Sequence, residues 1–458
     1  MVFSSILFIF KFLPLALGTY FITPEKYKNL TLLLLSLFFY SWGEPKYFPI
    51  MIASILVDFF ISISIDNNRS NKDLCKVLLS ISLIFNLGML FFFKYSNFFI
   101  NNINEVFNLS ISQIKLTLPL GISFYTFQTL SYTIDVYRGK VKAERSIIKF
   151  SVFVSLFPQL IAGPIVKYTN INKELSYRVV SLDKINDGIR EFIIGLGKKV
   201  IIANNVGMLW TEAKEIGFGN ISTPLAWLAI ISFSLQIYFD FSGYSSMAIG
   251  LGKMFGFDFP QNFNFPYISR SITEFWRRWH ITLGDWFKEY VFIPLGGSRC
   301  PKYRVYLNLF IVWTLTGFWH GADYNFIIWG FFFFIIISFE KAGLLNLLNK
   351  NKIFSHIYTI ILLLIGWSIF AITDLSELYM FLNRLFIFKN GVEWRYYLSN
   401  YLIIIIIAGI LSTPLINEFY KKYFRYKFID ILILMLIFFV SIAYLVDSTY
   451  NPFLYFNF

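Results

Sequence analysis

Stretches of about 20 mainly apolar residues, the length a helix needs to cross a bilayer, recur along the whole chain. They lie near residues 3–22, 29–42, 46–64, 74–93, 117–135, 190–209, 223–250, 305–319, 323–340, 357–373, 399–416 and 428–446. Lipid offers no hydrogen bonds to the backbone, so apolar segments of this length enter it as helices. Only 15% of residues are charged and 57% are hydrophobic, against about a quarter charged in soluble domains. The expected fold is an all-α polytopic integral membrane protein with roughly 11 to 12 membrane helices. The first apolar stretch has no basic start and no small-residue cleavage site, so it is read as a retained helix.

Some of these stretches are interrupted. Pro119 and Gly121 stand at the start of one, and "SLFPQLIAGPIVKY" holds Pro158, Gly163 and Pro164 in too short a run to span straight. Broken helices survive in a membrane where protein or a water-filled cavity satisfies the freed backbone groups, so re-entrant elements around an internal chamber are expected. The connections "PEKYKN", "DNNRSNKDLCK", "YRGKVKAERSIIK", "SRCPKYR" and "FYKKYFRYK" are rich in Lys and Arg, while residues 95–114 and 428–458 contain neither. The positive-inside rule puts the former in the cytoplasm and both chain termini outside. The formal charge of +13 is then a topology signal, not a nucleic-acid surface. Cys75 and Cys300 fall on the reducing side, so neither a disulfide nor a metal site is expected.

Residues 252–304 are too polar to face lipid and too rich in Trp, Phe and Gly to be disordered. Within "SRSITEFWRRWHITLGDWFKEYVFIPLGGSR", residues 269–299, Trp276, Trp279, Trp286 and Phe287 alternate with Arg277, Arg278 and Lys288. That mixture suits an interfacial helix with its rings at headgroup depth. Arg277 and Arg278 then meet lipid headgroups or an anionic donor such as coenzyme A, since guanidinium pairs match phosphate geometry. His280 follows them, with Asp285 nearby to bias its protonation.

A second histidine, His320, sits in "TGFWHGADYNFIIWG" between Trp319 and Gly321. A helix leaving the cytoplasmic surface near Arg304 reaches it after sixteen residues, or about 24 Å. His320 is therefore expected deep in the protein, toward the outer half, with His280 on the cytoplasmic side. The chain carries no G-x-S-x-G elbow, no H-E-x-x-H, no Walker loop and no Cys–His cluster. A single histidine acting as general base on an acceptor hydroxyl is the economical remaining chemistry, with Asn325 and the amides around Gly321 as candidate oxyanion donors. The alternative is a core histidine bonded to a backbone carbonyl. His356 fits no motif and is read as structural, at a helix terminus.

"EFWRRWHITLGDWFKEYVFIPLGGSR" followed by "TGFWHGADYNFIIWG" resembles the signature of the membrane-bound O-acyltransferases, in particular the bacterial branch typified by alginate O-acetyltransferase. "SFYTFQTLSYTIDVYRG", "FPQLIAGPIVKY", "QIYFDFSGYSSMAIGLGKMFGFDFPQNFNFPY" and the terminal "NPFLYFNF" extend the resemblance over nearly the whole chain. It implies one membrane domain, with N-terminal helices over 1–116, a catalytic core over 117–345 and C-terminal helices over 346–458, arranged around a tunnel or funnel. His320 matches the family's catalytic histidine and His280 the second, donor-side histidine. Arg277, Arg278, Trp279, Asp240, Ser242, Trp319 and Asn325 are the expected donor or tunnel contacts.

The resemblance implies acetyl-CoA as co-substrate, with no resident cofactor and no metal. The acceptor is an exported polysaccharide, or a secreted or membrane-anchored acetyltransferase partner that relays the acetyl group to it. The location it implies is the bacterial inner membrane. Three other readings stay open: a D-alanyl transferase of the teichoic acid type, a transporter or flippase with a proton-relay histidine, and a non-catalytic scaffold.

Overall fold

The computed structural model describes residues 2–161, 163–447 and 451; Ala162 and Pro452–Phe458, parts of two quoted motifs, lie outside them. Among the described residues every extended regular element is a helix, and a single antiparallel bridge joins Phe263 to Trp279. Among the described residues, eight helices are long and apolar enough to cross a membrane. The expected stretches at 3–22, 29–42, 117–135 and 305–319 also form helices but fall outside that group, being shorter or more polar. Their boundaries show why. The helix at 122–137 cannot begin before Gly121, which adopts φ +70° at its N-terminus, where a Cβ would meet the Leu160 carbonyl oxygen at 2.6 Å.

The chain forms two compact units, Met1–Phe192 with Ser245–Pro260, and Ile193–Tyr244 with Gln261–Phe458. In the first, α1 (Phe48–Asn67), α2 (Lys72–Phe107) and α3 (Ile122–Tyr137) pack together. They enclose a polar knot in which Asp58, fully buried, accepts from Ser82, from Asn86 Nδ2 at 2.7 Å and from Thr133 Oγ1 at 2.9 Å. Three donors on one buried acid tie the three helices into one register. The interruption expected at Pro158 is present: the Ile147–Ser155 helix ends, and a four-residue turn of helix, Phe157–Leu160, follows, wholly buried.

The second unit contains both motif histidines. Its elements are most of the long helix α4 (Thr223–Met254), two short helices α5 (Ile272–Arg278) and α6 (Ile281–Phe287), and α7 (Lys302–His320) paired with α8 (Tyr324–Phe339). They are followed by α9 (Lys352–Ala371) and a C-terminal group of α10 (Trp394–Leu411), α11 (Pro414–Tyr423) and α12 (Phe428–Asp447). The α7–α8 hairpin is close-packed for a definite reason. A Cβ at Gly317 would lie 2.4 Å from the Phe326 carbonyl oxygen, and one at Gly330 would lie 2.5 Å from that of Trp313. With glycine at both positions the two backbones touch directly, as small residues allow between membrane helices.

Candidate active site

His320 is the last residue of α7, three positions beyond Gly317 and on the same face. The hairpin crossing therefore sets its depth against α8. Its imidazole is 3% exposed and ringed by aromatics: Trp319 at 4.9 Å between centroids, Trp329 at 5.0 Å and Phe370 at 5.2 Å, all nearly perpendicular. The chain can turn away at once because the next residue is Gly321. A Cβ there would meet the Phe326 ring at 2.1 Å. The Gly321 amide is spent on the Gly317 carbonyl oxygen, 3.4 Å away.

Asn325 supplies no donor to this pocket. Its amide group donates to the carbonyl oxygens of Ile369 and Phe370 at 3.1 and 3.2 Å, which assigns Nδ2 and corrects the expectation that it serves an oxyanion. It works indirectly, by holding the end of α9 that carries Phe370 against His320. The indole N–H groups of Trp276 and Trp329 are among those buried without a hydrogen-bond acceptor among the described residues. Trp329 is the ring next to His320, and the two indoles pack edge to face at 5.4 Å.

The Trp-rich motif does not form the expected interfacial helix. It breaks at His280, which takes a left-handed conformation (φ +45°, ψ 52°) between two seven-residue helices. That break folds the motif inward. Trp279 becomes 1% exposed, stacks on Phe275 at 5.5 Å and meets Trp367 at 4.9 Å, while Trp276 contacts Trp313 and Phe333. Its rings are thus an internal wall. The Phe263–Trp279 bridge and the bond from the Asn264 amide to the Arg278 carbonyl oxygen (2.9 Å) hold the turn in place.

The same inward fold brings His280 close to His320, where the sequence had set the two toward opposite faces. The His280 ring lies 4.8 Å from Phe241 and 5.9 Å from Trp319, the residue whose other neighbour is His320. The two histidines flank one indole instead of being separated by most of the hydrocarbon core. Asp285, expected beside His280, is exposed. The partner is Asn262, whose Oδ1 lies 3.1 Å from His280 Nδ1. That oxygen also accepts from the Thr282 hydroxyl at 2.9 Å and the Thr282 amide at 3.3 Å, so it is an acceptor and Nδ1 carries the proton. Nε2 is then the basic nitrogen. Burial lowers the imidazole to about 3, so His280 is neutral under physiological conditions.

The arginine pair divides. Arg277 is exposed, whereas Arg278 bonds Glu274 at 2.9 Å and the Asn264 carbonyl oxygen at 3.1 Å. Asp240, one residue before Phe241, pairs with Lys199 at 2.7 Å, and both side chains are almost wholly buried. Lys199 also donates to Asn204 Oδ1 at 2.9 Å and lies in a π-helical segment, Lys198–Ala203. Ser242 is buried on α4, two residues beyond Asp240.

Glu340, Lys199 and Asn262 were not singled out from the sequence. Glu340 is fully buried and accepts from the Ile272 and Thr273 amides at 2.7 and 2.8 Å and from the Thr273 hydroxyl. It thereby caps α5, the helix leading to Arg278 and His280. Its only local signal was an acid ending the run "FFFFIIISFE". His356 lies near the start of α9, not at a C-terminal end where its charge would be favoured. Among the described residues no cluster of three or more His, Cys, Asp or Glu could hold a metal ion, and Cys75 and Cys300 are free.

A polytopic helical protein with two buried histidines against one indole, embedded in an aromatic wall, is thus the class defined by fold and site. A profile of the membrane-bound O-acyltransferase family (MBOAT) matches residues 142–382. The chain is 40% identical over 396 residues to a probable alginate O-acetylase AlgI of Pseudomonas aeruginosa, covering 85% of this chain and 75% of that protein. It is 40% identical over 382 residues to a peptidoglycan O-acetyltransferase of Helicobacter pylori, covering 75% and 71%. A teichoic acid D-alanyltransferase of Bacillus subtilis is 30% identical over 237 residues, covering 48% and 60%. The chain belongs to the membrane-bound O-acyltransferase family and is a multi-pass membrane acyltransferase.

Proposed function

We propose that this protein transfers an acetyl group from acetyl-CoA on the cytoplasmic side to a hydroxyl of an exported or cell-envelope glycan, or to a secreted or membrane-anchored partner that finishes the transfer. The observation that carries the reading is His320, buried at the end of α7 and separated from His280 by one indole. Both relatives named as O-acetyl enzymes match more of the chain, at higher identity, than the relative named as a D-alanyltransferase. That difference favours acetyl over D-alanyl.

In this reading His320 takes the proton of the acceptor hydroxyl as its oxygen attacks the thioester carbonyl carbon. A C–O bond forms, the C–S bond breaks, and the departing thiolate recovers the proton from the imidazolium. The aromatic ring around His320 excludes water, which protects the thioester from hydrolysis and strengthens each electrostatic contact. The Trp329 indole N–H, close to His320, is the donor best placed for the charge developing on the carbonyl oxygen. His280 stays neutral and offers Nε2 as an acceptor on the donor side. The Lys- and Arg-rich connections face the cytoplasm and both termini face outward.

The test is reconstitution with labelled acetyl-CoA and an acetylatable glycan, following label into protein and glycan. His320→Ala should lower transfer by about 10²–10⁴-fold while remaining folded. Undiminished transfer by that variant sinks the assignment. Label accepted only from a D-alanyl thioester would move the protein to the teichoic acid reading, and passage of a glycan or lipid with no acyl transfer would make it a transporter.

A further inference from the structure

The C-terminal group contains a helix with a largely open face. α11 has no buried residue. Leu415, Ile416, Phe419 and Tyr423 are 66%, 43%, 52% and 44% exposed, and at helical spacing they fall within one arc of about 100°. Four cations, Lys421, Lys422, Arg425 and Lys427, follow or flank that stripe, against one exposed acid, Glu418. The other acid nearby is Asp430, which is buried and accepts from the Tyr420 hydroxyl and, at 3.0 Å, from the Tyr426 amide.

The setting decides what can cover the stripe. α11 joins α10 to α12, both of membrane-spanning length and composition and both burying little of themselves in protein. Ten residues of helix are about 15 Å long, too short to recross the bilayer. The helix is therefore held at one membrane surface, and Asp430 fixes its rotation through Tyr420. Lys422 lies 5.1 Å from the Tyr423 ring centroid and Arg425 lies 4.6 Å from that of Tyr426. Cation and ring side by side is the pattern of side chains that sit at headgroup depth.

We propose that α11 is an in-plane helix seated in the bilayer surface. Its Leu415–Phe419–Tyr423 stripe enters the acyl boundary, and Lys421, Lys422, Arg425 and Lys427 form a recognition surface for anionic phospholipid headgroups. Charge complementarity commits the occupant to an anionic leaflet, because a zwitterionic surface offers the four cations no net counter-charge.

The test uses the full chain carrying Phe419→Cys on a Cys75→Ser, Cys300→Ser background, labelled with a small fluorophore and reconstituted into bilayers. The bilayers contain either brominated phosphatidylglycerol or brominated phosphatidylcholine. Both lipids should quench the label, and phosphatidylglycerol more strongly. Neutralising the four cations to Gln should lower its relative association by roughly fivefold per charge removed. Should that variant not fold, raising the salt on the unaltered cations should shrink the same preference while quenching persists. Equal quenching by both lipids at low salt overturns headgroup recognition. Quenching by aqueous iodide alone, or by nothing, overturns the membrane seat and leaves water or protein as the cover.

Discussion

His280 and His320 face the same indole, their ring centroids 5.9 and 4.9 Å from that of Trp319. The two imidazoles thus cannot stand farther apart than those two lengths end to end, a fraction of the hydrocarbon core of about 30 Å. Trp319 fixes their separation. Trp319→Phe retains an aromatic spacer and should keep most acyl transfer. Trp319→Ala opens a cavity, at a cost of about 3–5 kcal/mol, and should lower both the thermal midpoint in detergent and the rate. An alanine variant equal to wild type in both would show that the indole does not set the spacing.

His280 makes a prediction about acid stability. Burial holds its pKa at about 3, below the ordinary 6.5, so between those values the unfolded chain binds a proton that the folded chain refuses. The resulting stability is complete above about 6.5 and is lost as the pH falls toward 3. The thermal midpoint should drop between pH 7 and pH 5, with a shallower slope in His280→Gln. Identical slopes would mean that the imidazole is not held neutral.

Glu340 caps a helix of the site from a distance. Glu340→Ala leaves the Ile272 and Thr273 amides buried without their acceptor, at about 1–3 kcal/mol for each orphaned group. Glu340→Gln keeps one oxygen acceptor and should lose less. Hydrogen exchange at residues 272–278 should rise more in the alanine variant than in the glutamine variant. A rise of equal size in both would place the effect elsewhere.

The Lys199–Asp240 pair allows a double-mutant cycle. Breaking a buried pair from one side leaves a lone charge, so Lys199→Met or Asp240→Asn alone should cost about 3–5 kcal/mol. The double variant should recover much of that loss. Additive losses would show that the two side chains are not coupled.

Much of this architecture could be read along the chain, because it depends on local pattern. The apolar runs marked the helices, and "GFWHG" marked a histidine at a helix end next to an obligatory glycine. What the sequence did not show depends on partners far apart in the chain. Asn262 reaches His280 across 18 residues, and Glu340 reaches Ile272 across 68. Lys199 stands in "GKKVIIANN" like any cation near a membrane edge, and nothing local marks it as the counter-ion of Asp240. The Trp-rich motif misled for a different reason. Amphipathic spacing assumes an unbroken helix, and a left-handed turn at His280 divides this one in two.

The Gly317–Gly330 crossing limits how this site can be re-engineered. Where backbone rests on backbone there is no side chain to trim or repack, so α7 and α8 cannot part or slide without losing the contact. If His320 is the transfer base, an altered acyl preference would come from the rings around it, Trp329 on α8 and Phe370 at the end of α9. Trp329 and Phe370 are adjustable tiles on a fixed frame, and libraries aimed at new acyl groups should vary those two positions and leave both glycines alone.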